Sequence, residues 1–344
     1  MTYIIGEIGQ NHNGDIAIAK KIIDIVSMPV KDKLFDIDLP IMDAVKLTKR
    51  DLKYELSDSQ MARKYNNKNS FAETYGKHRE FLELSDEEHY EVYKYAKSKG
   101  LDFVETLCAP TCLSILKLFT PDKLKVASRD LTNIPLLEAL AETKLPMIIS
   151  TGMASDKELD EAIEVISKKN NEISILHCVS QYPTEPQNVN LNTIPYLIEK
   201  YPNYTIGYSD HTIGIAVPIA AVSMGSEIIE KHITLDRNMK GTDQIGSLGP
   251  EGIYRMVRDL RLLNMSLGKK ELHICDDVKG AQIKLERSIA TNKTLSAGQK
   301  ITENDIHLLS PGDGFKWTEK NNVIGKTASC EIPKNEIVYP KMLS

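Results

Sequence analysis

The sequence predicts an α/β chain: a (β/α)8 TIM barrel followed by a small β-rich domain. Three observations carry that prediction. Short apolar, β-rich runs alternate with amphipathic helical segments in about eight units, the number that closes a parallel barrel. The first of those runs ends in Gly6-Glu7-Ile8-Gly9, which is not the G-x-G-x-x-G of an open dinucleotide-binding sheet. Towards the C-terminus the texture changes to short β runs between Gly, Pro, Asn and Lys turns. The length of 344 residues suits a barrel of about 250 residues plus a small module. The expected division is a barrel over 1–268, a linker over 269–284 and a small domain over 285–344 that leans on its neighbour for stability.

Taken in order, Tyr3–Ile8 is β-rich and closes on Glu7-Ile8-Gly9-Gln10-Asn11-His12-Asn13-Gly14, a turn-like polar cluster. Asp15 can cap a helix whose apolar positions Ile18, Ile22, Ile25 and Val26 recur at helical spacing. Met28–Pro40 is a less regular stretch before the run Met42–Leu47. The polar stretch Asp51–Ser85 is too long for a bland connector and is expected to be a functional loop over the site. Ser85-Asp86-Glu87-Glu88 is a capping box that starts a helix ending near Gly100. Strands then follow at Asp102–Cys108, Leu124–Ser128, Met147–Thr151 and Ile173–Val179, with helices at Thr111–Phe119, Ile134–Glu142, Ala154–Lys168 and Asn192–Lys200. The last two units have β-type runs Ile206–Tyr208 and Ile228–Ile229, with helices near Ile213–Met224 and Pro250–Leu267. Beyond them, Ser288–Ala290, Ile306–Leu309 and Ile337–Tyr339 read as short strands.

Composition removes several classes of function. A net charge of −5 without a basic run leaves no footprint for nucleic acid. No stretch approaches the roughly 18 apolar residues of a spanning helix, so no membrane partner is expected and the protein reads as cytoplasmic. The five cysteines (Cys108, Cys112, Cys178, Cys275, Cys330) form no CxxC pair and read as buried reduced thiols.

In a parallel barrel, residues at strand C-termini converge on one face, where ligands bind. Those ends present Glu7, Lys46, Thr106, Ser128, Thr151, Ser180, then Ser209-Asp210-His211 and Lys231-His232. Lysines (Lys46, and Lys125 within its strand) and hydroxyls suit a phosphorylated or carboxylated ligand. The alternative is that Lys125 and Lys231 are snorkelling strand-end charges and that His211, His232, His177 and His12 are hydrogen-bonded core histidines. Two histidines at adjacent strand ends could instead share one metal ion. Glu7 inside an apolar strand needs a partner, because burying a lone carboxylate costs several kcal/mol.

These residues resemble a known family, the sialic (nonulosonic) acid synthases. The resemblance rests on Glu7-Ile8-Gly9-x-Asn11-His12-x-Gly14, Val45-Lys46, Ser150-Thr151-Gly152-Met153, His177-Cys178 with Tyr182-Pro183-Thr184, Ser209-Asp210-His211-Thr212 and Glu230-Lys231-His232. The C-terminal Gly298-Gln299-Lys300-Ile301 and Pro311-Gly312-Asp313-Gly314 are similar to the family's antifreeze-like (SAF) domain. The resemblance implies condensation of phosphoenolpyruvate with an open-chain aldose, an N-acetylhexosamine or a relative, to a 2-keto-3-deoxy nonulosonate and phosphate. It implies a divalent cation, manganese first with magnesium or cobalt as alternatives, and a homodimer with swapped C-terminal domains. His211 and His232 match the metal ligands. Lys46, Thr106, Lys125, Ser128, Ser180 and Ser209 match the phosphoenolpyruvate set, with Ser180 where the family often has Asn. Glu7, Tyr182 and Asp243 match sugar-side positions, and Asp130 matches a catalytic-site Glu.

The departures concern the sugar. Ser310 stands where the family has the arginine that reaches the N-acetyl group, and Thr48 where a Gln is common. A serine cannot replace a bidentate guanidinium. An aldose other than N-acetylmannosamine is therefore expected, with Lys49, Arg50, His78 or Arg79 as other sources of charge. Two competing readings are a Schiff-base lyase or aldolase using Lys46, Lys125 or Lys231, and a non-catalytic sugar-binding protein.

Overall fold

The computed structural model describes residues 1–344. Its strands are β1 (Tyr3–Gly9), β2 (Val30–Asp32), β3 (Ile37–Leu39), β4 (Ala44–Lys49), β5 (Asp102–Leu107), β6 (Lys123–Val126), β7 (Met147–Ser150), β8 (Ile173–Cys178), β9 (Thr205–Asp210), β10 (Ile228–His232), β11 (Ser288–Thr291) and β12 (Ile306–Leu309). The chain divides into two units, Met1–Gly268 and Lys269–Ser344. In the first, β1 and β4 to β10 pair in parallel and close on one another in a barrel, as the alternation of strand and helix predicts.

Strand parity decides what each side of the barrel wall does, because successive side chains point to opposite faces. Ile4, Val45, Phe103, Leu124, Ile149, Ile175, Ile206 and Ile229 join the large core shared with the surrounding helices. Their neighbours Ile5, Ala44, Val104, Ile148, Leu176 and Ile228 form a separate, fully apolar cluster that plugs the barrel interior. Two residues further along each strand the same inward parity continues in polar form: Glu7, Lys46, Thr106, Ser150, Cys178 and Glu230. The hydrophobic plug is thus the floor of a polar cup at the strand C-termini.

The helices supply the outer layer. Ser85 and Ser155 each form a capping box with Glu88 and Glu158, starting the helices Asp86–Ser98 and Asp156–Ser167. Each helix buries an apolar stripe, for example Leu159, Ala162, Ile163 and Ile166.

Several expectations change, among them the helix Thr111–Phe119, which is a 3-10 segment over Pro110–Lys117. The irregular stretch Met28–Pro40 holds an antiparallel hairpin of β2 and β3. The stretch Asp51–Ser85 is ordered rather than a bare loop, with helices Leu52–Glu55, Asp58–Ala62 and Tyr75–Leu82 capped by Asp51, Ser57 and Thr74. Asp, Ser and Thr spaced ahead of short helices were the signal; the low apolar content hid it. Ser128 lies outside β6 and opens a 3-10 turn, Ser128–Asp130. Cys108, Cys112 and Cys178 are buried free thiols, but Cys275 and Cys330 are exposed. Chain context, not cysteine's apolarity, sets those two.

The second unit pairs β11 with β12 antiparallel and has its own core of Ile289, Leu295, Ile301, Ile306, Val323, Ala328, Ile332 and Val338. Ile337–Tyr339 is not a strand; only Ile337 bridges, to Ala290. The stretch expected as a linker carries a turn at Asp276–Val278 and a helix at Lys279–Leu285, both exposed.

Candidate active site

A cavity of about 280 Å³ opens at the C-terminal ends of the barrel strands. Of the residues singled out from the sequence, it brings together Glu7, Lys46, Thr48, Thr106, Lys125, Ser128, Ser180, Tyr182, Ser209, His211, His232 and Asp243. Inward parity delivers most of them. At the end of β1, Gly9 takes a left-handed backbone (φ 52°) where the pairing with β4 shifts register. A Cβ there would lie 2.8 Å from Glu7 Oε1, so glycine leaves Glu7 room to face inward.

The centre of the site is a buried cluster of two lysines and two carboxylates. Lys46 Nζ is 2.6 Å from Glu7 Oε2 and 3.7 Å from Glu230 Oε2, and donates to Thr106 Oγ1 at 3.1 Å. Lys125 Nζ donates to Ser150 Oγ at 2.6 Å and to the Val126 carbonyl at 3.0 Å, and is 3.8 Å from Glu230 Oε1. Ser209 Oγ donates to Glu230 Oε1 at 2.9 Å.

Burial tends to neutralise every member, and the charges decide which ones resist it. Burial would raise Glu230, but Lys125 and Lys46 outweigh it and hold the carboxyl down at about 2. For Glu7 burial wins over the attraction of Lys46, and its pKa rises to about 7. Burial lowers Lys125, with Glu230 opposing, whereas Glu230 and Glu7 overcome burial at Lys46 and raise it. The cluster therefore has one fixed anion, Glu230, and one carboxyl, Glu7, that changes protonation near neutrality.

Beside it lies a cradle of small polar groups. Ser128 Oγ accepts from the Gly152 N–H at 3.0 Å. A Cβ on Gly152 would sit 2.5 Å from Ser180 Oγ, 2.8 Å from Ser128 Oγ and 3.0 Å from Cys178 Sγ. Glycine keeps open a space walled by two hydroxyls and floored by Lys125, an arrangement suited to phosphate or carboxylate oxygens.

Opposite, the His211 and His232 rings lie 5.4 Å apart, with the Tyr182 ring 4.0 Å from His211. His211 Nδ1 is 2.9 Å from the Val179 carbonyl, a contact that fixes this nitrogen as the donor and leaves Nε2 with its lone pair. Burial lowers His232, favouring a neutral imidazole, and its buried Nδ1 has no protein partner. Two imidazoles on adjacent strand ends, each with a ring nitrogen not spent on a protein carbonyl, fit a divalent cation. No cluster of three or more His, Cys, Asp or Glu ligands exists, so such a cation would keep most of its coordination for water or substrate.

Other residues lie elsewhere. Asp130 does not line the cavity: it is held 3.3 Å from Arg129 Nε, and it is Arg129 that faces the cavity. Ser310 belongs to the second unit, where its hydroxyl donates to the Leu285 carbonyl at 3.0 Å. Lys231 is fully buried on the outward parity, 2.5 Å from Asp210 Oδ2, and does not reach the cavity. His177 also points outward, with Nε2 2.7 Å from the Val189 carbonyl, and His12 Nδ1 accepts from the Gly14 N–H. Thr151 does not line the cavity, whereas Ser150 does.

Sequence reasoning missed Glu230, Ser150, Arg129 and Gln10 as cavity residues, whereas Arg79, one of the other sources of charge it offered, does line the cavity. Period two could have found the first two, since Glu230 lies two residues beyond Ile228 and two before His232. Arg79 and Arg129 come from segments outside the strands, where no periodicity points.

The comparisons with known proteins follow the same lines. The NeuB family model matches residues 41–272 and the SAF domain model residues 286–344. The chain is 33% identical over 341 residues to the N,N'-diacetyllegionaminic acid synthase of Legionella pneumophila, covering 96% of this chain and 91% of that protein. It is 30% identical over 343 residues to the N-acetylneuraminate-9-phosphate synthase of Homo sapiens, covering 99% and 92%. Among solved structures, the N-acetylneuraminic acid (sialic acid) synthetase from Leptospira borgpetersenii in complex with citrate is 30% identical, covers 81% of this chain and 90% of that one, and superposes with a TM-score of 0.68. No helix is long and apolar enough to cross a membrane. This chain is a member of the NeuB family, the sialic (nonulosonic) acid synthases, with a C-terminal SAF domain.

Proposed function

We propose that the barrel condenses phosphoenolpyruvate with an open-chain aldose, dependent on a divalent cation, to give a 2-keto-3-deoxy nine-carbon acid and inorganic phosphate. The observation that carries this reading is the cavity's division into an anion-binding half (Lys46, Lys125, Ser128, Ser180, Gly152) and a paired-histidine half (His211, His232). One substrate with a phosphate and a carboxylate suits the first half; a carbonyl compound suits the second.

In the reaction, C3 of phosphoenolpyruvate forms a bond to the aldehyde carbon, whose oxygen takes a proton. C2 becomes cationic, water adds to it and loses a proton, and the tetrahedral phosphate ester expels phosphate by C–O cleavage, leaving the ketone. His211 and His232 would hold the cation, manganese by preference, which supplies Lewis acidity to the aldehyde oxygen when bound. Lys46, Lys125 and the serine cradle hold the phosphate and carboxylate in fixed geometry, which is preorganised electrostatics. The ionised Glu230, close to both lysines, stabilises positive charge developing at C2. Glu7, with its pKa near 7, can give or take the proton that moves between water and the new hydroxyl.

The test is phosphate release from phosphoenolpyruvate with manganese across a panel of hexosamines, with mass spectrometry of the product. Release that requires both an aldose and the metal, and that stops with chelator, is the supporting result; release without either, or none with any aldose, sinks the reading. A second reading has one observation in its favour: burial lowers Lys125, the direction a Schiff-base amine needs. Borohydride inactivation in the presence of a keto-acid sugar would establish it.

The human relative is named for a product carrying a 9-phosphate, and the Legionella relative for an acid whose name contains no phosphate.

A further inference from the structure

The loop after β10, residues 233–249, is fastened to the loop after β1 through one buried side chain, Gln244. Gln244 is 1% exposed, although Asp236, Arg237, Asn238 and Lys240 earlier in the same loop face solvent. Its Oε1 accepts from the Thr234 hydroxyl, and its Nε2 donates to the Asn11 carbonyl at 3.2 Å and to Asn13 Oδ1 at 3.3 Å. Two asparagines answer from the β1 side. Asn11, also buried, donates from Nδ2 to the Ile233 carbonyl at 2.9 Å and to Ser247 Oγ at 2.8 Å. Asn13 donates from Nδ2 to the Lys240 carbonyl at 3.0 Å, from a left-handed backbone (φ 52°) that asparagine tolerates better than most side chains. Buried amides are expensive unless their polar ends are met, and here each end finds its partner in one of the two loops.

The residue next to this clasp, Asp243, faces the histidine half of the site. It lines the main cavity and also a side chamber of about 20 Å³ whose wall includes His211, His232 and Tyr182. Burial lowers His232, and Asp243 is the charge that opposes this most, which places the carboxylate near that ring. Asp243 stands at the N-cap of the 3-10 turn Gln244–Gly246, where an aspartate ordinarily accepts from the turn's own N–H groups. Its side chain does not cap that turn. What fixes it is main chain: Ser247 Oγ donates to the Asp243 carbonyl at 2.6 Å, and the same Ser247 Oγ accepts from Asn11. The carboxylate is therefore aimed by the clasp and left free for a ligand.

Resting on the condensation reading, we propose that Gln244 is a positioning residue: by tying the loop after β10 to the loop after β1, it holds Asp243 at the histidine half and so governs use of the aldose but not of phosphoenolpyruvate. An ionised carboxylate is an acceptor only, and the hydroxyls of an open-chain sugar are donors for it. A displacement of about 1 Å is enough to forfeit such bonds and the orientation they impose. The anion-binding half stands on other elements, Lys46 on β4, Lys125 on β6 and the Ser128, Gly152 and Ser180 turns, and none of these residues bonds to the clasp.

The test uses the purified full-length protein with manganese, phosphoenolpyruvate and the hexosamine that releases phosphate fastest. Gln244→Met keeps the side chain's length and removes its polar ends. The expected result is a KM for the hexosamine raised about tenfold, with that for phosphoenolpyruvate within about twofold of the unaltered protein. Asp243→Asn should raise the same KM, and adding Gln244→Met to it should raise it no further, because both changes act on one interaction. Ser247→Ala, which removes the hydroxyl holding the Asp243 carbonyl, should give the same split and serves if Gln244→Met fails to fold by thermal melting. Manganese binding to the substrate-free protein, titrated by electron paramagnetic resonance, should not change. Three results overturn the proposal: an equal rise in both KM values, additive effects in the double variant, or weakened manganese binding, which would make the clasp a support for the cation. Failure of the condensation reading itself is distinguishable, since the unaltered protein would then release phosphate with no hexosamine.

Discussion

Glu230 and Lys231 are neighbours on β10, and they face opposite sides of the barrel wall. Inward, Glu230 meets Lys46 and Lys125 at 3.7 and 3.8 Å in a cluster that opens to the cavity. Outward, Lys231 meets Asp210 at 2.5 Å, and Asp210 also accepts from the Tyr208 hydroxyl at 3.0 Å and from the Thr212 N–H at 2.9 Å. The outer pair has every charge met by a partner and no access to a ligand. The inner cluster has Glu230 Oε2 without a hydrogen bond and lysines that face free space. The same residue types on adjacent positions thus form a structural pair on one side and a candidate reaction centre on the other. Chain parity is the only difference in their placement on the strand.

Substitutions on the two sides should separate stability from activity. The largest effect is expected from Asp210→Ala, which leaves Lys231 buried with an uncompensated charge and should cost about 3–5 kcal/mol in urea denaturation. A loss below about 1 kcal/mol would mean that the outer pair does not hold the wall together. On the inner side, Lys125→Met should lower kcat/KM by about 100- to 1,000-fold, the scale of removing one preorganised donor. Its stability should fall by less than that of Asp210→Ala, because Lys46, 3.7 Å from Glu230, still faces the carboxylate. If instead it unfolds the protein and the folded fraction keeps full activity, the two clusters are alike and the parity argument fails. Smaller still is Gly152→Ala, whose methyl enters the serine cradle. Overpacking of about 1–3 kcal/mol, taken up by the bound anion, should raise KM for phosphoenolpyruvate roughly tenfold. An unchanged KM would remove the cradle from the phosphate site.

Much of this organisation could be read from the chain. The eight strands were legible because buried parallel strands are continuous β-rich runs, and the helices because Ser85 and Ser155 announce them. His211, His232 and Lys46 stood out by closing apolar runs and Lys125 by lying within one, while snorkelling lysines and hydrogen-bonded core histidines stayed open as structural explanations. Glu230 was passed over although it obeys the same alternation, since the motif Glu230-Lys231-His232 drew attention to the lysine and histidine. The lysine turned out to face away from the cavity. Asp130 was legible only as a motif position, which says nothing about the neighbouring Arg129 that pairs with it and faces the cavity itself. Arg79 had only a general charge argument behind it, because its position depends on how three short capped helices fold over β4 and β5. Ser310 differs again: it lies in the second unit, and its role in sugar choice rests on family resemblance.

The central claim is that the inward-facing cluster and its cradle hold phosphoenolpyruvate for attack by C3, with phosphate leaving by C–O cleavage. The most direct measurement uses phosphoenolpyruvate labelled with oxygen-18 in the bridging ester position, turned over with manganese and an accepted aldose. The expected result is label wholly in the released phosphate and none in the keto acid. Label retained in the organic product, or phosphate released without any aldose, would contradict it.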